Sequence, residues 1–320
     1  MERYINSFAT ENDIQIALQN GELLKPYVAY IEDADKIDWN SKSKTDNKNN
    51  YLTFVALEPT TYSFTSDLGY SLQYSTDNGV SWNTLAATIK TPTIQTGDKV
   101  LWKGNIYGMQ GKVGVKFSST GKYEVKGNIM SLHYGDDFKN KVTLSKTYIF
   151  SKLFYGDTKL ISAENLVLPA TTLTDYCYQE MFYGCTSLTT APKLPATTLV
   201  RQCYSSMFFN CTSLTTAPEL LATTLANGCY YRMFRGCSSL TTAPVLPTTT
   251  LVNGCYNGMF VFCTNLNYIK CLATDISATN CTDSWVNGVS SRGTFVKNPN
   301  MSGWTTGNSG IPTGWTVQDA

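Results

Sequence analysis

Residues 203–218 read CYSSMFFNCTSLTTAP, and the phrase returns along the chain at a constant step. The segments opening at Leu168, Leu194, Leu220 and Leu246 are LPATTLTDYCYQEMFYGCTSLTTAPK, LPATTLVRQCYSSMFFNCTSLTTAPE, LLATTLANGCYYRMFRGCSSLTTAPV and LPTTTLVNGCYNGMFVFCTNLNYIKC, each 26 residues long. Cys177, Cys203, Cys229 and Cys255 fall in one column, which Cys281 extends; Cys185, Cys211, Cys237 and Cys263 fall in a second. Met181, Met207, Met233 and Met259 form a third, with Trp285 next in line, and Leu188, Leu214, Leu240 and Leu266 a fourth. Self-similarity at a fixed period marks a repeat architecture, in which a unit too small to bury its own apolar face does so against copies of itself.

Within a unit, Cys203, Met207 and Cys211 are spaced by four, as are Tyr204 and Phe208. That spacing predicts a short helix with one apolar stripe. Gly184, Asn210 and Gly236 follow it, where a helix would end in a left-handed residue. Leu-Thr-Thr-Ala-Pro then reads as an extended stretch stopped by proline. Each unit is therefore expected to be one strand, one bend and one short helix. The pattern also runs backwards: Phe154-Tyr155-Gly156-Asp157 matches Phe182-Tyr183-Gly184-Cys185, two residues out of step, with Asp157 in a cysteine position as expected of a terminal, partly solvated coil. Regularity decays at Thr282 and Val289, and the Gly-, Pro-, Asn- and Trp-rich residues that follow read as a cap.

Ahead of the repeats the rhythm changes. Residues 51–56, 60–65, 70–75, 80–85, 99–103, 112–118 and 122–127 alternate apolar with polar between Gly, Asn and Asp turns, the pattern of a β-sandwich. Asn78-Gly79 is a strong hairpin signal. Residues 1–49 read as a small attachment segment: a helix through Leu18, a strand at 26–31, and the polar run SKSKTDNKNN at 41–50. The expected fold is mainly β with short helices, divided into an N-terminal attachment segment (1–49), a β-sandwich (50–132), a leucine-rich-repeat solenoid (133–284) and a C-terminal cap (285–320).

The M-F-x-G-C-T-S-L core, Met181 to Leu188, resembles BspA-like leucine-rich-repeat proteins, of the modular kind found in phages and prophages and on the surface of gut bacteria. The resemblance covers about residues 146–320; the Thr-Thr-Ala-Pro stretch departs from the family's Ile-rich strand. It implies a solenoid fold and a role as adhesin, surface protein or virion component, without a cofactor.

Composition narrows the function. Lys and Arg number 25 against 24 Asp and Glu, a net charge of +1, so a broad basic surface for nucleic acid is not expected. A single histidine, His133, excludes two-histidine chemistry and His-rich metal sites; it reads as a structural residue rather than part of a triad. Ten cysteines invite a disulfide reading. However, Cys177 and Cys185 would flank a helix, a row of five cannot pair completely, and no CxxC spacing offers a zinc site, so reduced core thiols are expected. Ser75-Thr76-Asp77-Asn78-Gly79-Val80-Ser81-Trp82 fits the Asp-box pattern of sialidases; it occurs once, with no arginine triad nearby, and reads as a turn. No apolar run is long enough to span a membrane, and the opening MERYINSFATEND lacks the apolar core of a secretory signal, so export by that route is not expected.

Positions that vary among the units stand out against the constrained core. Gln179-Glu180, Ser205-Ser206, Tyr231-Arg232 and Asn257-Gly258, together with Tyr183, Phe209, Arg235 and Val261, are expected on the exposed side. Tyr183, Phe209, Tyr231, Arg232 and Arg235 make the candidate contact row, since aromatic and arginine side chains suit contacts. The reading is a non-enzymatic phage fibre, decoration or receptor-binding protein located in the virion. It would dock on other virion proteins through its N-terminal region and present the solenoid to a host glycan or protein. The alternatives are a bacterial cell-surface adhesin and a carbohydrate-active enzyme. Fibres are commonly homotrimers, but no coiled-coil heptads occur, and the oligomeric state stays open.

Overall fold

A computed structural model describes residues 49–320; the helix and strand expected within the attachment segment lie outside the described residues. The described chain is mainly β, with one short helix and several sheets, none closed. Seven strands form where alternation predicts them: β1 (Leu52–Ala56), β2 (Tyr62–Thr65), β3 (Ser71–Ser75), β4 (Asn83–Ala86), β5 (Lys99–Lys103), β6 (Lys116–Ser119) and β7 (Tyr123–Asn128). Two begin three or more residues later than predicted, β4 and β6. Val80 is taken up by the preceding turn, its amide donating to Asp77, and Lys112 closes a tight turn on Met109.

β1 is buried at all five positions, as a central strand covered on both faces must be. It lies between β5 and β7 in the order β4-β3-β5-β1-β7-β8, where β8 is Leu160–Val167. β2 and β6 make a separate antiparallel pair. Tyr62 of β2 and Phe117 of β6 bring their rings within 5.2 and 4.8 Å of Phe54 on β1, in edge-on geometries that aromatic quadrupoles favour. After β7 comes α1 (Ser131–Tyr134). The Ser131 hydroxyl accepts from the Leu52 amide at 2.9 Å and donates to the Trp102 carbonyl at 2.8 Å, fastening this turn to the sheet centre.

β8 carries the sheet into the repeats. It pairs parallel with β7, and its Ser162 bridges Thr190 in the same sense. Parallel bridges then join Thr190 to Thr216 and Thr242 to Tyr268, the first residue of β9 (Tyr268–Cys271). The tail adds β10 (Thr294–Lys297) and β11 (Thr316–Asp319), both parallel, while Trp285 stacks on Trp304 and its indole N–H donates to the Gly310 carbonyl at 2.8 Å. One apolar cluster runs from Leu52 to Trp315.

The columns read from sequence lie inside this cluster: Cys177, Cys203, Cys229, Cys255, Met181, Met207, Met233 and Met259 are all fully buried. Phe154, Phe182, Phe208, Phe234 and Phe260 stack ring on ring at 5.4, 5.4, 5.7 and 5.8 Å. Successive units therefore lie directly upon one another.

The expected short helix is not there. Residues 200–211 form a spiral of tight turns whose amides alternate in destination. Those of Cys203, Ser205, Met207, Phe209 and Cys211 donate three residues back, whereas those of Gln202, Tyr204, Ser206, Phe208 and Asn210 donate to the next unit at 2.7–3.1 Å. Gln202, Ser206 and Asn210 sit at φ 50°, 53° and 55°, a left-handed residue every fourth position, as position i+2 of a type II turn demands. An α-helix directs its amides four residues back within the same segment. Here half of them cross to the neighbouring unit, so the four-residue spacing of Cys203, Met207 and Cys211 comes from two turns rather than one helical turn. The left-handed geometry expected at Gly184, Asn210 and Gly236 does occur, within the spiral rather than at a helix end.

Asp157 also differs from expectation. It is 5% exposed, with its carboxylate accepting from the Tyr123 hydroxyl of β7 at 2.8 Å and from the Lys159 amide at 2.9 Å. The first unit is covered by the preceding sheet rather than by water, and burial raises the Asp157 pKa above the usual carboxylate value. Later units put a thiol here, and it donates to a phenylalanine carbonyl one unit back: Cys185 to Phe154, Cys211 to Phe182, Cys237 to Phe208 and Cys263 to Phe234, at 2.9–3.0 Å. The first unit has no such carbonyl behind it, and Tyr123 answers the carboxylate instead. All ten cysteines are buried free thiols.

Candidate functional site

The turn spiral points its side chains in pairs. Cys203, Tyr204, Met207 and Phe208 go inward, while the pairs between them face outward or lie recessed. Because units stack in register, the outward residues of one unit meet their counterparts in the next and form ribs. The principal rib runs Tyr155, Tyr183, Phe209, Arg235, Phe262. Tyr155 and Tyr183 stack at 4.6 Å, Tyr183 and Phe209 at 4.4 Å, and the Arg235 guanidinium lies 5.5 Å from the Phe209 centroid and 5.4 Å from that of Phe262. A second rib starts with Tyr148 and Tyr176, whose rings stack at 4.4 Å, and ends with the Arg201 guanidinium 5.0 Å from the Tyr176 ring. Between the ribs, Arg232 lies 4.7 Å over Tyr231.

All five residues of the candidate row lie on this side of the repeats. Tyr183, Phe209, Tyr231, Arg232 and Arg235 are half-buried. The Tyr183 and Phe209 rings cover each other's faces. Three expectations of exposure fail, the first being Gly258, which is buried with its α-carbon facing the Arg232 side chain. Ser205 and Ser206 are buried, as short side chains recessed between flanking units, and Val261 turns inward while the adjacent Phe262 carries the exposed ring.

Tyr155 and Phe262 were missed by the sequence reading, and each had a signal. Tyr155 occupies the Tyr183 position of the out-of-step first unit. Phe262 stands where the other units carry Gly156, Gly184, Asn210, Gly236 and Gly288, all left-handed, and it shares their conformation at φ 59°.

Charge on this side is mixed. Lys152 pairs with Glu180 at 3.6 Å and Arg201 with Asp175 at 3.2 Å. Being exposed or partly exposed, such pairs fix positions more than they add stability. Among the described residues, no carboxylate pairs with Arg232 or Arg235.

The other motifs occupy structural roles. In the Asp-box segment, Asp77 accepts from the Ser81 hydroxyl at 2.5 Å, the Ser81 amide at 2.9 Å and the Ser75 hydroxyl at 2.7 Å, and these bonds lower its pKa to about 2. Its carboxylate is thus occupied by its own turn, while Trp82 packs on Tyr51 and under the Lys103 ammonium. His133 Nδ1 lies 2.6 Å from the Ile106 carbonyl, and burial lowers its pKa. Thr190 and Thr216 serve as bridge residues between units. Near them, Pro192, Pro195, Pro218 and Leu221 help to line a shallow groove of about 460 Å³, and Pro244 and Pro247 line its neighbour of about 480 Å³.

Among the described residues, no helix is long and apolar enough to cross a membrane. Compared with known proteins, the chain matches no family profile, no curated protein and no solved structure.

Proposed function

We propose that this protein is a non-enzymatic binding protein: a two-sheet β-sandwich leading into a BspA-like leucine-rich-repeat solenoid whose ribbed side contacts a partner. The observation that carries this reading is the rib Tyr155–Tyr183–Phe209–Arg235–Phe262. It crosses five successive units and aligns aromatic and cationic groups over an extended, shallow surface. Such a surface suits contact with a large partner.

The biological setting that fits best is a bacteriophage particle, with the chain acting as a fibre, decoration or receptor-binding component. In this reading the N-terminal region docks on other virion proteins and the repeats face a host surface glycan or protein. The resemblance of Met181–Leu188 to the modular phage and gut-bacterial repeat proteins supports it. Mass spectrometry of purified particles tests it: the chain is expected at stoichiometric levels, and its absence from particles of a phage that encodes it overturns the assignment.

A further inference from the structure

The spiral repeats left-handed backbone in every unit, and at one such site on the ribbed side the residue type changes. Five units place Gly or Asn at the left-handed site that ends the spiral; the sixth places Phe262, at φ 59°. A bulky residue in this region is rare. Phe262 is 51% exposed and puts its ring against Arg235.

Arg235 is thereby enclosed. The Phe209 ring of the unit before lies 5.5 Å from its guanidinium and the Phe262 ring of the unit after 5.4 Å. Arg232, whose carbonyl accepts from the Arg235 amide at 3.2 Å, rests on Tyr231. A guanidinium in contact with two rings has less freedom left to lose when it binds. Other cations on this side have carboxylate partners of their own, Lys152 with Glu180 and Arg201 with Asp175. Arg232 and Arg235 have none among the described residues. Two pre-ordered, unpaired forks on one turn match a carboxylate, which guanidinium groups bind through two parallel hydrogen bonds.

The surroundings favour a sugar acid over a protein side chain. A protein interface is built around an apolar centre. On this rib Phe262 is the one large apolar side chain that is mainly exposed, whereas Leu221 and Val245 line the proline grooves. The remaining rib residues are half-buried. A sugar acid brings one carboxylate and several hydroxyls to such a surface. We propose, resting on the reading of this side as the binding face, that Arg235 between Phe209 and Phe262, with Arg232 on Tyr231, binds the carboxylate of an acidic sugar residue in a surface glycan.

The test is calorimetric titration of the full chain with 3′-sialyllactose, a glucuronate-containing tetrasaccharide, lactose and poly-L-glutamate. One of the two acidic oligosaccharides is expected to bind and lactose is not. Arg235→Gln should weaken that binding about tenfold or more, the scale of a lost charge-assisted hydrogen bond. Lys99→Gln, which removes an exposed cation on β5 outside the repeats, should leave it unchanged. Phe262→Gly should weaken binding while raising the thermal midpoint, because glycine relieves the left-handed position; a merely structural Phe262 would not separate the two effects in that way. The proposal is overturned if neither acidic oligosaccharide binds, if lactose binds equally well, if affinity survives the Arg232→Gln/Arg235→Gln double change, or if poly-L-glutamate is preferred. Particle mass spectrometry is read independently, so a failed titration and a failed virion assignment remain distinguishable.

Discussion

Replacing Gln202 and Ser206 together by glycine should stabilise the protein, and the sign of that effect discriminates between the turn spiral and the helix that the spacing predicts. Both residues hold left-handed backbone, at φ 50° and 53°. For a side chain bearing Cβ this conformation costs about 1–2 kcal/mol. Glycine escapes that cost but brings a larger loss of unfolded-state freedom, about 0.5–1 kcal/mol relative to alanine. The difference leaves roughly 0.5–1 kcal/mol of stabilisation per site, or about 1–2 kcal/mol for the pair. In a helix interior the same two changes would each destabilise, by as much as about 1 kcal/mol. Ser205, which is absent from the left-handed set, supplies the control: Ser205→Gly should cost about 0.5–1 kcal/mol. Urea unfolding followed by tyrosine and tryptophan fluorescence gives the comparison, read as a shift in midpoint at constant slope. A lower midpoint for the Gln202→Gly/Ser206→Gly variant would refute the spiral.

Three further outcomes follow from the same structure. Phe208→Ala, at the middle of the buried phenylalanine stack, should cost about 3–5 kcal/mol, larger than any single rib substitution, as measured by the same unfolding assay. Burial raises the Asp157 pKa, so its folded form holds a proton the unfolded chain releases. Stability from this group is therefore present below the unfolded carboxylate value and is lost as pH rises through the folded one. Asp157→Asn should remove that part of the decline in thermal midpoint between about pH 4 and neutrality, and an unchanged pH profile would contradict it. Burial also pushes the thiols up, to about 12 at Cys177, Cys255, Cys263 and Cys271 and upward at the other six. Iodoacetamide at pH 8 should leave the folded protein unlabelled and label all ten cysteines in denaturant; rapid labelling of the native chain would sink this account.

The legible and illegible parts of the chain divide by physical cause. Column positions were readable because stacking constrains them: Phe208 meets Phe182 and Phe234 only if the spacing is kept. Strands such as β2, β3 and β7 were readable because one-sided burial imposes alternation. The spiral was misread because a period of four is shared by a helix and by two successive tight turns. Gly228, Gly254 and Gly258 carried the correction, since glycine at four-residue intervals opposes a helix and suits recurrent left-handed turns. Asp157 was misread because sequence order says where a unit stands in the series but not what packs over its end. The rib was partly readable: Tyr183, Phe209 and Arg235 emerged as variable positions, whereas Phe262 hid one place along, in a column that otherwise favours glycine.

The alternating amides have a consequence for how such a chain can change length. Each unit from Tyr176 to Phe262 donates five spiral amides to the unit after it and offers five carbonyls to the unit before it. The two sides of a unit are thus interchangeable plugs and sockets. Excising 26 residues, or copying them, brings together surfaces that already fit, so the reach of the molecule is adjustable in whole steps by simple duplication or loss of gene segments.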